Sequence, residues 1–384
     1  MRKIAGILLT LILTGTAFAE GPFSMQTLPV QNGGRVKPYD TYAREALLLT
    51  YGRSLYGDKK APAIEVVTTW MMEPELWNKA EFIRVDHLGL KKAMNLSEEQ
   101  KFFSPAELMA NSRLNPILSD LSGKRQTKQK LGPFDQAAQK LENQLSLFHE
   151  IRMGGIRLMP NPARDPDKTQ WLALAELSDS QKEEFFKTIH LYISSVSKDG
   201  KPSAEFSESL NRFVEDARSQ WPEVYPTLKK METEVHYNTL SPFMWAWILY
   251  ALSTVLIFLS ILFKARYFKW AAWLSAVVAF ALHTYGFGLR VYLTERPPVS
   301  NMYETVIWVA WGAMIFTSVF SWIKKKDYIL LSGTLVATVA MIVADRAPAI
   351  LDSSLQPLEA VLNSNLWLII HVMTITLSYA AFFL

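Results

Sequence analysis

The chain has 384 residues, no cysteine, and 40 Lys and Arg against 36 Asp and Glu, a net charge of +4. Without cysteine it has no disulfide, no thiolate metal site, no cysteine nucleophile and no Cys-x-x-Cys-His site for haem bound by thioethers. No basic patch reads as a nucleic-acid footprint, and the informative contrast is between a mixed, polar stretch at 20–240 and long apolar runs over 243–384.

The first twenty residues, MRKIAGILLTLILTGTAFAE, read as a secretory signal: Arg2 and Lys3, an apolar run from Ile4 to Leu13, then Ala17-Phe18-Ala19 as a small-x-small cleavage site, giving a signal peptide at 1–19. The alternative is an uncleaved anchor; in either case the polar stretch after it is expected to be exported. LPVQNGGRVKPYDTYAREALLL predicts a turn at Gly33-Gly34 and a helix starting near Asp40 or Thr41. The glycine pair is too sparse for a phosphate loop. Apolar spacing predicts helices over Gln136–Arg152, Asp179–Ser195 (capped by Ser178, Asp179 or Ser180) and Ser203–Arg218. A proline-rich connector is expected at 157–170. The expected exported domain, 20–240, is mostly helical.

Within 241–384, five apolar runs, at about 243–263, 270–290, 303–323, 327–344 and 366–384, have the length of membrane spans. Lys264, Arg266 and Lys269 join the first two, and Lys324-Lys325-Lys326 join the third and fourth, so these turns are expected in the cytoplasm and the loops 291–302 and 345–365 outside. Trp245, Trp247, Trp308, Trp311 and Trp322 read in part as interfacial anchors. The last run meets no charged or polar flank before Leu384, which suggests a fragment or one half of a split product.

No Asp, Glu, Lys or Arg lies deep in these runs, which disfavours an ion pump. Two histidines do: His283 and His371. A neutral imidazole there serves as an axial haem ligand, as a proton relay, or as a hydrogen-bonding contact between helices, and spacing does not choose among them. His87, His149, His190 and His236 have no metal-ligand spacing; only His236, near the first span, is of interest. Between the second and third runs, Pro297 and Pro298 block helix, and Asn301 followed by Glu304 matches a capping box, with Glu304 reaching back to the Asn301 amide. Arg290, Arg296 and Tyr303 gather at the same mouth, and capping does not account for them. The arginines there suit either carboxylate pairing or interfacial anchoring.

HTYGFGLRVYLTERPPVSNMYETVIWVAW, with its His, then Arg, then Ser-Asn-x-Tyr-Glu, resembles the CcsA-type cytochrome c assembly family. So does LWLIIHVMTITLSYAAF, with a Tyr-Ala pair eight residues after its His, and the early LPVQNGGRVKPYDTYARE resembles the external domain of large fused members. The resemblance implies a mainly α, polytopic bundle in the bacterial inner membrane with a periplasmic N-terminal domain. It also implies haem b received, held at the outer face and delivered to apocytochrome c bearing Cys-x-x-Cys-His. Its implied site is His371 and His283 as iron ligands, with Arg290 and Arg296 offsetting propionates and Tyr303 beside them. The family's Trp-Gly-x-x-Trp-x-Trp-Asp segment and a second external histidine are absent. Both are expected beyond residue 384 or in a second subunit, so the chain is at most a component of a cytochrome c synthase. A membrane-bound ligand sensor or scaffold, and a b-type haem electron carrier, are the competing expectations.

Overall fold

The computed structural model describes residues 22–161, 170–297, 299–346, 351, 353–355 and 366–382. The signal-like segment 1–19, Pro298, residues 162–169 of the connector and most of the loop 345–365 lie outside the described residues. The protein is mainly α and divides into two units; Val36–Glu232 forms most of the first, and Thr233–Leu384 with Gly33–Arg35 forms the second.

In the first unit the chain runs β1 (Pro29–Asn32), β2 (Arg35–Pro38), α1 (Tyr39–Tyr51), β3 (Leu55–Tyr56), β4 (Ala61–Pro62), α2 (Ala63–Met72) and α3 (Pro74–Lys79). It continues through β5 (Ile83–Arg84), α4 (Leu88–Met94), β6 (Phe102–Phe103), α5 (Pro105–Ala110), α6 (Leu114–Gln126) and α7 (Pro133–Arg152). Then come β7 (Arg157–Met159), β8 (Leu172–Ala173), α8 (Asp179–Asp199) and α9 (Ala204–Gln220). The first part of the expected connector is therefore a strand: β7 pairs antiparallel with β1 and β8 in a sheet ordered β2-β1-β7-β8. Three residues are too few to show an alternating pattern before Pro160 ends the run. The core centres on Trp70, Phe82 and Phe148, whose rings meet at 5.1–5.7 Å in tilted and edge-on pairs. Buried Gln144 ties α7 to the end of α1 and to β5 by donating to the carbonyls of Leu49 (2.8 Å) and Arg84 (3.1 Å). Ser178 caps α8, its hydroxyl accepting from the Gln181 amide.

α10 (Leu228–Leu240) carries the division between the units. At Ser241 the backbone turns left-handed and Pro242 opens α11 (Pro242–Phe263). The bundle is completed by α12 (Arg266–Thr294), α13 (Met302–Lys324), α14 (Asp327–Arg346) and α15 (Leu366–Phe382). Among the described residues, four helices are long and apolar enough to cross a membrane; α15, at 17 residues, is shorter. α11 packs on α12 and α14, while α13 packs on α14 and α15. Small side chains let the backbones approach: Gly286 sits against Pro242 and Phe243, Gly312 against Leu377 and Ala380, and Gly333 against Thr317. Ser253 and Ser275 donate across the α11–α12 seam to the Ala272 and Leu249 carbonyls, both at 2.8 Å. Lys269 pairs with Asp327, which sets the two basic turns at one end of the bundle.

Gly333 has no room for a side chain, because an added Cβ overlaps the Thr317 hydroxyl. Gly333→Ala is expected to lower the stability of the detergent-solubilised protein by about 1–3 kcal/mol, with part of the loss recovered in Gly333→Ala/Thr317→Ala, as read by thermal unfolding.

Candidate functional site

The end of the bundle opposite the basic turns is built around Glu304, in the first turn of α13. Asn301 caps that helix, its Oδ1 accepting from the Glu304 amide at 2.8 Å. The Glu304 carboxylate does not complete the expected capping box. Its Oε1 accepts from Arg290 Nη2 (2.7 Å) and Nε (3.3 Å), and its Oε2 from Arg296 Nη1 (2.8 Å). Oε2 also takes the Ser300 hydroxyl (2.8 Å) and the Ser300 amide (3.0 Å), one residue ahead of the cap. Two cations, 14 and 8 residues away in sequence, outcompete a nearby neutral amide, since ionic hydrogen bonds are roughly twice as strong.

The side chains of Arg290 and Glu304 are each 1% exposed, and that of Arg296 is 4%. Arg290 spends its remaining donors on the Tyr237 hydroxyl (3.0 Å) and the carbonyls of Ser353 (2.9 Å) and Ser354 (3.4 Å), and its guanidinium lies 5.2 Å from the Tyr303 ring centre. Every N–H of Arg290 therefore meets a protein group, so in this arrangement it holds the bundle end together and has none left for a ligand carboxylate. Burial pushes the Arg296 guanidinium below its usual range, and Glu304 opposes that shift.

His283, two turns before Arg290 on α12, is wholly buried. Phe287 stacks on its ring at 5.2 Å, Phe243 stands edge-on at 5.6 Å, and Tyr250 Oη is 3.4 Å from its Nδ1. The Ile307 backbone faces the ring, but Nε2 closes no well-formed hydrogen bond. Beyond Phe287 lies an aromatic layer between α12 and α13. Trp308 and Trp311 stack at 4.9 Å, Phe280 lies parallel to Trp311 at 5.8 Å, and Phe287 meets Trp308 edge-on at 5.8 Å. Trp311 donates to Thr284 Oγ1 (2.9 Å) and Trp308 to the Met373 carbonyl of α15 (3.4 Å). These two are packed between helices, whereas Trp322 is 78% exposed.

His371 is exposed on α15. The face of α15 that meets α13 carries Leu377 and Ala380, and His371 shares the other side with Ile375 and Tyr379. The rings packed on His283 are those of Phe243 and Tyr250 on α11 and Phe287 on α12, and His371 is not among them. Of the other histidines, His87 caps α4 by accepting the Leu90 amide, and His236 Nε2 lies 3.2 Å from Tyr285 Oη. Among the described residues no cluster of three or more His, Asp or Glu could hold a metal ion. Sequence pattern picked out His283, Arg290, Arg296 and Tyr303. It missed Tyr250, Phe243 and Tyr237, whose only signal is that each lies on a helix packed against the site.

Fold and site together define a polytopic α-helical membrane protein with a caged imidazole beneath a buried arginine–glutamate network. No family model matches the chain. Over 370 residues, 91% of the chain, it is 24% identical to Protein NrfI of Wolinella succinogenes, covering 39% of that protein. It is 36% identical over 87 residues to the cytochrome c biogenesis protein CcsA of Picosynechococcus, 22% of the chain and 25% of that protein. The match to CcsA of Nostoc punctiforme is 38% over 87 residues, 22% of the chain and 24% of that protein. The chain thus spans about two fifths of NrfI and a quarter of these CcsA proteins. These matches support the CcsA-type cytochrome c biogenesis family for this chain.

Removing the Glu304 charge leaves two guanidiniums buried without a counter-ion. Glu304→Ala is expected to cost about 3–5 kcal/mol, measured as loss of thermal stability in detergent. Tyr303→Phe, which keeps the ring beside Arg290, is expected to stay close to the parent protein.

Proposed function

We propose that the chain handles haem for cytochrome c assembly, as part of a multi-pass protein of the bacterial inner membrane. The observation that carries this reading is His283: a fully buried imidazole, held by a hydroxyl at one nitrogen and unsatisfied at the other, in a chain resembling cytochrome c biogenesis proteins. Burying a polar nitrogen without a partner costs free energy, and its persistence fits a ring kept for a ligand. Haem is substrate here, and the residues fit it unequally. His371 is open to an incoming porphyrin. His283 becomes a second ligand only if Phe243 and Phe287 move aside. The stacked Trp308 and Trp311 offer a flat apolar wall nearby.

In this reading the basic turns face the cytoplasm, the Glu304 end faces the periplasm, and the N-terminal unit is exported. The signal-like segment supports that orientation. Arg296 and Tyr303 line the haem-side mouth, and Arg290 supports them through Glu304. The partner is an apocytochrome c with Cys-x-x-Cys-His, and further biogenesis segments or subunits complete the site. Attachment adds a cysteine S–H across a haem vinyl group: sulfur bonds to one carbon, hydrogen to the other, and no electrons are gained or lost. The protein's contribution is to hold the two reactants in register.

A b-type electron carrier would need His283 and His371 on one iron, and their separate surroundings favour the assembly reading. The purified protein is expected to carry haem with a Soret band, and His371→Ala to lose most of it. Haem-free protein, or an unchanged spectrum in His371→Ala, overturns the reading. His283→Ala is expected to reduce haem content less, because that ring is reached only after rearrangement.

A further inference from the structure

We propose that Arg35 is a positioning residue for residues 353–355, which it grips by the backbone carbonyl of Leu355. Gly33 and Gly34 both have positive φ (61° and 78°), the tight turn that two glycines adopt without strain. The turn delivers Arg35 beside α10, where Nη1 and Nη2 donate to Oε2 and Oε1 of Glu234 at 2.8 and 2.7 Å. Both side chains are sheltered, Arg35 at 16% and Glu234 at 2% exposed. Each terminal nitrogen gives one N–H to the carboxylate, and the single N–H of Nε is left for another acceptor. That donor lies 2.7 Å from the Leu355 carbonyl.

Arg290 performs the matching operation one and two residues earlier, on the carbonyls of Ser353 and Ser354. Three successive carbonyls thus accept from arginines that are themselves held by buried carboxylates, Glu234 and Glu304. The two guanidiniums satisfy these backbone oxygens, as buried carbonyls require. The planar fork is essential. Lysine could keep the charge beside Glu234, but it has no fixed second direction in which to hold Leu355. The early Gly-Gly-Arg stretch is in this way part of the second unit. The segment it holds precedes α15, which bears His371.

Because the chain has no cysteine, Leu355→Cys introduces a single thiol at a position that is 6% exposed. Its rate of reaction with a water-soluble maleimide, in the full chain in detergent, reports release of the segment. Arg35→Ala is expected to raise that rate about tenfold or more, and Arg35→Lys nearly as much. A second reporter, Leu330→Cys, lies wholly buried in α14 and is expected to stay slow in both variants. An unchanged rate at position 355, protection retained by lysine, or an equal rise at both reporters overturns the proposal. The readout uses no haem, so it stands or falls apart from the haem-handling reading.

Discussion

A carboxylate with almost no solvent exposure holds two guanidiniums at one end of the helix bundle, and the shape of that end depends on it. Taking three charges out of water is expensive, and mutual attraction offsets the cost only where every remaining donor and acceptor is met. Glu304 meets that condition by taking bonds from Arg290, Arg296 and Ser300, while Arg290 sends its other donors to Tyr237 and to the segment after α14. Through Arg290, Tyr237 and the carbonyls of Ser353 and Ser354, all distant in sequence, are tied to the same carboxylate.

Below this polar layer the bundle changes character. Helices α11, α13 and α14 approach closely over glycine, alanine and serine, but α12 and α13 are bridged chiefly by large rings. His283 occupies the junction between the two regimes, with Phe287 on one face and the hydroxyl of Tyr250 at one nitrogen. An imidazole so enclosed cannot exchange protons with water without movement of its neighbours, so a role as a freely accessible proton relay is disfavoured. His371, by contrast, is exposed on α15. The two histidines are thus chemically alike and structurally unequal.

The sequence by itself determined the class of fold, because apolar length is a one-dimensional property: each long hydrophobic run became a helix within a few residues of its expected ends. It also located the chemically interesting mouth, since Arg290, Arg296, Asn301, Tyr303 and Glu304 lie close together along the chain, and it identified Asn301 as a cap. What it could not determine was the choice among partners. Local pattern pairs Glu304 with the Asn301 amide; three-dimensional proximity gives it to two arginines, because a buried carboxylate is stabilised more by cations than by a neighbouring dipole. In the same way, Arg35 and Leu355 are 320 residues apart, and strand β7 is too short to show a period. Only the tertiary structure decided that His283 would be caged and His371 exposed, since helix spacing fixes which residues share a face but not which neighbouring helix covers it.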